Sequence, residues 1–165
     1  MSYQPTSLYS EIAPNLFMGG TADEDVIHQA VAYNKARTDL PFDAIITMYA
    51  WANPADWRVQ EFRYGIYDSA IADIDLDRLK QAVEFGYNRW LSGDRVLVRC
   101  QAGLNRSGLV TALIMMSTGL DAETAIEQIR KNRADIALFN NNYVEWLMSE
   151  GAQFLAPSRY EEISK

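Results

Sequence analysis

The chain has 165 residues and a formal charge of -7, from 15 Lys and Arg against 22 Asp and Glu, which suits one compact domain rather than two. With 48% hydrophobic and 22% charged residues it is too apolar to be a disordered segment, and no run reaches the roughly 18 apolar residues of a membrane span. The opening Met-Ser-Tyr-Gln-Pro lacks a signal-peptide layout and the acidic balance shows no basic stripe, so a soluble cytoplasmic protein is expected, not dedicated to nucleic acid or to an anionic membrane.

Residues 11–20 read as a turn and a strand stopped by Gly19 and Gly20, one half of a first strand pair. Thr21 or Asp23 then caps a helix over about residues 24–35. Residues 43–49 are an apolar, β-branched run of the kind that forms a central strand covered on both faces. Residues 50–56 are a loop, residues 61–67 a second, more alternating strand, and Asp68 stands where that strand ends. From residue 76 to 91, Leu76, Leu79, Val83, Tyr87, Trp90 and Leu91 recur at helical spacing, with Asp73 or Asp75 as N-cap and Ser92-Gly93 as the stop. Residues 95–99 form a third strand, and a turn over 101–105 leads into a helix over 107–116 that is apolar nearly all round and therefore buried. Gly119 ends it; Asp121 caps a helix to about Lys131, and a last helix over 140–151 carries Tyr143, Trp146 and Leu147 inward. The sum is one α/β domain over residues 1–165, its core at about 10–150, with a small, mostly parallel sheet.

One cysteine, Cys100, and one histidine, His28, exclude an intramolecular disulfide and the common Cys/His zinc sites; no metal or cofactor is expected. His28 falls on the helix over 24–35, where a solvated or partly packed side chain explains it better than catalysis does. The chemistry lies in Val96-Leu97-Val98-Arg99-Cys100-Gln101-Ala102-Gly103-Leu104-Asn105-Arg106-Ser107-Gly108: strand, Cys, five residues, Arg, hydroxyl, helix. Such a turn aims successive backbone N–H groups into one concavity, and the helix adds its free N–H groups and positive dipole end, so an oxyanion of phosphate size fits. The same field favours the Cys100 thiolate, a nucleophile that needs no histidine base. Arg106 can reach back and grip two phosphoryl oxygens with its planar fork. Gly103 lets the loop turn its amides inward, and the Ser107 hydroxyl can donate to the sulfur as it leaves. Cys-x5-Arg by itself is a weak signal, as buried thiols and surface arginines are common; the preceding strand, Ser107 and the apolar helix make it specific.

This segment resembles the signature loop of the cysteine-dependent protein tyrosine phosphatases, of the compact dual-specificity type. Residues 11–20 are similar to that family's opening strand, 44–48 to its central strand and 140–147 to its closing Asn-plus-aromatic helix, so most of residues 10–150 are covered. The resemblance implies hydrolysis of phosphomonoesters on phosphoprotein, phosphotyrosine at least, through a phosphocysteine. An aspartic acid ahead of the loop first protonates the leaving oxygen and then activates water. Asp68 follows Ile66-Tyr67 and precedes Ile74 by the family's spacing; an ungapped match from Cys100 would put Ser69 there. Asp73 is the second candidate, though Asp73 and Asp75 read better as helix caps. The five residues Gln101, Ala102, Gly103, Leu104 and Asn105, with Arg106, would hold the phosphate. Asn105 would brace the loop, and Asn140 either braces it from outside or is a capping or surface amide. Two features depart from the family: Arg99 stands where a histidine is usual, and no Trp-Pro-Asp sequence is present. Two rival readings remain: an RNA 5′-triphosphatase, whose loop residues 103–108 also resemble, and a catalytically silent phosphate-binding module. Net charge counts against the first, and retention of Cys100, Arg106 and Ser107 together counts against the second.

Overall fold

The computed structural model describes residues 7–21 and 41–157; the helix expected over 24–35, with His28, lies outside the described residues. The expected strand pair forms from β1, Tyr9–Ala13, and β2, Leu16–Gly19, which run antiparallel. Asn15 makes the turn with φ 67°, a conformation asparagine tolerates well among non-glycine residues. Three further strands follow: β3, Ala44–Thr47; β4, Gln60–Arg63; and β5, Val96–Arg99. The sheet order is β1-β2-β5-β3-β4, with every pair except β1 and β2 parallel.

The run at 43–49 is buried throughout β3, as a strand covered on both faces should be, but the middle of the sheet is β5, which hydrogen-bonds to β2 and β3. The strand expected to reach residue 67 ends at Arg63. At Gly65 the chain passes so close to Ala50 that a Cβ there would lie 2.6 Å from the Ala50 Cβ.

Alternation along β5 sorts its side chains onto two faces. Val96, Val98 and Cys100 join the main core, while Leu97 packs on the other face with Phe42, Ile45 and Val59, where Tyr9, Phe17 and Phe42 meet edge to face. The main core lies under the helices. Helix α1, Leu76–Leu91, is capped by Asp75, whose side chain accepts from the N–H groups of Asp77 and Arg78. It buries Leu79, Ala82, Val83 and Gly86, leaving Leu76 and Leu91 exposed. The fully buried stripe is thus narrower than the sequence spacing, with Tyr87 and Trp90 only partly buried against the core, and Gly86 lets the helix come down close onto Ile46 and Ile114. Asp73, the other cap candidate, sits in a 3₁₀ turn, Ile71–Asp73, and accepts from Ser69 Oγ at 2.9 Å instead.

Helix α2, Arg106–Met116, is buried from Ser107 to Met116, as its uniformly apolar sequence requires. Asp121 caps α3, Ala122–Asn132. Asn140 caps α4, Asn141–Trp146, which widens through a π turn, Leu147–Gly151, into α5, Ala152–Leu155. Tyr143 and Leu147 are buried as expected, whereas Trp146 is half-buried against Phe154. Among the described residues no helix is long and apolar enough to cross a membrane.

Candidate active site

The parallel strands β2, β5 and β3 all run toward one edge of the sheet, where a crevice between strand ends and helix N-termini is the ordinary place for a ligand in an open α/β sheet. Cys100 is the first residue past β5. Its N–H donates to Gly19 O at 3.1 Å and its side chain is 2% exposed. Its Sγ lies 3.3 Å from the Ser107 Oγ, within hydrogen-bond distance, with the thiol as donor.

The loop from Gln101 to Asn105 has its carbonyls tied outward. Gln101 O accepts from Thr21 N at 3.0 Å and Leu104 O from Leu138 N at 3.0 Å. The guanidinium of Arg133 donates to Gly103 O at 3.0 Å and, at 3.4 Å, to Ala102 O. The N–H groups of Gln101 to Asn105 make no hydrogen bond with the described residues. Asn105 occupies the N-cap position of α2 without a side-chain capping bond, leaving the first-turn amides of that helix free as well. Peptide planes with carbonyls held outside present their N–H groups inside, the arrangement that binds an oxyanion. Gly103 has φ 72°, and a Cβ on it would lie 2.4 Å from Gly19 C and 2.6 Å from Arg133 Nη2, so the turn admits no side chain.

Arg106, the first residue of α2, spans the space between this loop and the chain after β4. It donates to Ile66 O at 3.0 Å, lies 5.3 Å from the centroid of the Tyr49 ring, and has its Nε buried without a partner. A phosphoryl oxygen would satisfy that donor. Asp68 follows two residues later and is exposed, and both its oxygens accept from amides: Oδ2 from Asn105 Nδ2 at 2.8 Å, Oδ1 from Asn140 Nδ2 at 2.7 Å. Asp68 is therefore tied to the loop itself, while Asp73 is bonded only to Ser69 among these groups. Asn140 does more than cap α4. Its N–H donates to Asn105 Oδ1 and its Nδ2 also to Ser69 O. Tyr143 OH donates to Tyr67 O at 3.0 Å; burial, aided by the negative charge of Asp68, pushes that phenol above the ordinary tyrosine range, so it stays a neutral donor.

Arg99 does not act on Cys100 from the place a histidine would take. Its position in β5 puts its side chain on the opposite face of the sheet, fully buried, where Nε donates to Thr47 Oγ1 at 2.9 Å and Nη2 to Asn53 O at 2.6 Å and Glu61 Oε2 at 3.1 Å. Burial pushes the Glu61 carboxyl up, but hydrogen bonds from Thr47 and the Ala55 N–H, with the charges of Arg63 and Arg99, outweigh it and hold the group below its ordinary range. Glu61, Arg133 and Tyr143 were not legible as polar members of this region. Glu61 and Arg133 stand in no motif, and Tyr143 shows only the helical spacing of a core residue.

Comparison with known proteins agrees with the geometry. Residues 28–153 match the family model described as dual specificity phosphatase, catalytic domain. Dual specificity protein phosphatase 1-A of Xenopus laevis is 30% identical over 154 residues, and dual specificity protein phosphatase 1-B of the same species 29%; each alignment covers 90% of this chain and 38% of the relative. Among solved structures, the human tyrosine phosphatase-like serine/threonine/tyrosine-interacting protein superposes with a TM-score of 0.71 at 21% identity, covering 90% of this chain and 98% of that one. Tk-PTP in its active form gives 0.69 at 20%, with the same coverage, and human DUSP28 gives 0.67 at 18%, covering 90% and 100%. The fold and the loop define a phosphatase domain of the cysteine-dependent protein tyrosine phosphatase superfamily. Within it, this chain belongs to the dual specificity phosphatase catalytic-domain family.

Proposed function

We propose that the domain hydrolyses phosphomonoesters on phosphoprotein, phosphotyrosine at least, through a phosphocysteine and without metal or cofactor. The observation that carries this reading is the ring of outward-tied carbonyls around Cys100, which leaves the amides of Gln101, Ala102, Gly103, Leu104 and Asn105 for three phosphoryl oxygens. The Cys100 sulfur attacks phosphorus, and the P–O bond to the leaving group breaks as the proton of Asp68 passes to the departing oxygen. Arg106 and the amides bind the phosphoryl oxygens throughout. In the second step Asp68 takes a proton from water, the water oxygen attacks phosphorus, and the sulfur leaves while accepting the hydrogen bond of Ser107. Asp68 is preferred to Asp73 because Asn105 and Asn140 fasten it to the loop. The single free thiol suits a reducing compartment, so a cytoplasmic place belongs to the same reading.

The test is hydrolysis of p-nitrophenyl phosphate and of a phosphotyrosine peptide, with chelator present, by the native protein, Cys100→Ser and Asp68→Asn. Turnover by the native protein is expected to vanish in Cys100→Ser. Asp68→Asn is expected to lose much more on the peptide than on p-nitrophenyl phosphate, since nitrophenolate departs readily without a proton. Phosphate release only from triphosphate-ended RNA would move the reading to an RNA 5′-triphosphatase. Binding of phosphopeptide with no turnover of any substrate would make it a silent module.

A further inference from the structure

Arg133 lies just past the end of α3, on the far side of the phosphate loop from the pocket, and is 7% exposed. Its guanidinium is shared between two parts of the chain distant in sequence. One side of the fork donates to Gly103 O and Ala102 O, and Nη1 donates to Ser7 O at 2.8 Å and Ser10 Oγ at 3.1 Å. The absent side chain of Gly103 is matched to it, since a Cβ there would come within 2.6 Å of Nη2. Of the four loop carbonyls from Gln101 to Leu104, the outer two are held by backbone N–H groups and the middle two by this one side chain. The middle of the loop has no backbone donor beside it, so nothing else among the described residues fixes those two peptide planes.

Resting on the phosphatase reading, we infer that Arg133 is the positioning residue of the phosphate loop: by holding the carbonyls of Ala102 and Gly103 outward it keeps the amides of Gly103 and Leu104 aimed at the phosphate. A planar fork can serve two carbonyls and the N-terminal segment together, and a lysine ammonium cannot keep that geometry. Burial draws the guanidinium down to about 10, while the negative charge of the Cys100 sulfur draws it back up, so the residue remains a cation at neutral pH. Arg99, on the other face of the sheet, has no part in this.

The test is binding of inorganic phosphate by calorimetry at 10 °C, for the native protein, Arg133→Lys, Arg133→Gln and Asn132→Ala, with thermal melting to establish that each variant is folded. Asn132 ties the same helix end to β1, through Ile12 O, without touching the loop. Phosphate Kd is expected to rise at least five-fold in Arg133→Lys and further in Arg133→Gln, with the native value kept in Asn132→Ala. On p-nitrophenyl phosphate the Arg133 variants should raise KM, because the amides bind the substrate, and also lower kcat, because they bind the transition state more strongly still. Native phosphate affinity in either folded Arg133 variant would overturn the inference. Equal weakening in Asn132→Ala would overturn it too, by showing general loosening of α3. A native protein that binds phosphate through Arg133 but turns nothing over would support the inference and overturn the catalytic reading; one that binds no phosphate would overturn both.

Discussion

A methyl group at Gly103 has nowhere to go. The backbone is left-handed there, and the added carbon would sit inside the contact distances of Gly19 and Arg133. Gly103→Ala is expected to lower stability by about 2 kcal/mol in denaturant titrations and to remove measurable phosphate binding. Glu61 is the residue on which the other face depends. Its carboxylate accepts from Thr47 Oγ1 at 2.5 Å, Arg63 Nη1 at 3.1 Å and Arg99 Nη2 at 3.1 Å, and from the Ala55 N–H. Glu61→Gln leaves a buried guanidinium without its counter-charge, which should cost about 3 kcal/mol, the low end for such a break because the Glu61 side chain is 12% exposed. Since the folded protein holds this carboxyl below its ordinary range, its contribution is complete above the unfolded value of about 4.3 and is lost as pH falls from there through the folded value. The stability gap between native protein and Glu61→Gln, measured by denaturant titration from pH 7 down to pH 3, should therefore shrink only in the acid range. A gap that stayed constant would mean that the charge of Glu61 contributes nothing.

At the scale of elements, the start of α4 and the segment carrying Asp68 act as one piece. Asn140 caps the helix with its Oδ1 and ties Asp68 and Ser69 with its Nδ2, Asn142 Nδ2 donates to Ser69 O at 3.3 Å, and Tyr143 reaches Tyr67 O from the core. The candidate acid is thus held against the loop by a helix N-terminus, and orientation of this kind contributes directly to rate. Asn140→Ala should cost about 1 kcal/mol through the lost cap. It should also depress kcat on a phosphotyrosine peptide more than on p-nitrophenyl phosphate, because only the peptide's leaving group needs the proton of Asp68. Equal losses on the two substrates would mean that Asn140 serves the helix and not the acid. Tyr143→Phe keeps the ring in the core and removes one tie, so a smaller change in the same direction is expected in the same assay.

For the molecule as a whole, the charge of -7 is set against a loop proposed to hold an anion. On the proposed function, local donors would bind phosphate at contact distance, while the long-range field opposes the approach of an acidic chain. A phosphotyrosine peptide with Lys and Arg flanks should therefore show a higher kcat/KM than one with Asp and Glu flanks. The difference should narrow as salt is raised from 0.01 to 0.15 M and the screening length falls from roughly 30 to 8 Å. A preference that ignored salt would point to specific contacts with the flanks rather than to the field.

What the sequence determined by itself was whatever depends on neighbours along the chain. The strand, the glycine-bearing turn and the apolar helix place Cys100, Arg106 and Ser107 within eight residues; periodicity with its cap and stop residues bounded α1, and an all-round apolar composition marked α2 as buried. Asp68 was singled out through the family resemblance and its spacing, and the strand expected to lead straight into it ends earlier, at Arg63. Tertiary structure decided whatever depends on which face a residue takes and on partners far away in sequence. Arg99 adjoins Cys100, yet alternation along β5 sends it to the other side of the sheet, to Glu61. Arg133 meets Gly103 across thirty residues, and Asn140 meets Asp68 across seventy-two. A hydrogen bond between such residues leaves no periodic trace in the chain, since it depends only on where the sheet and helices bring them together.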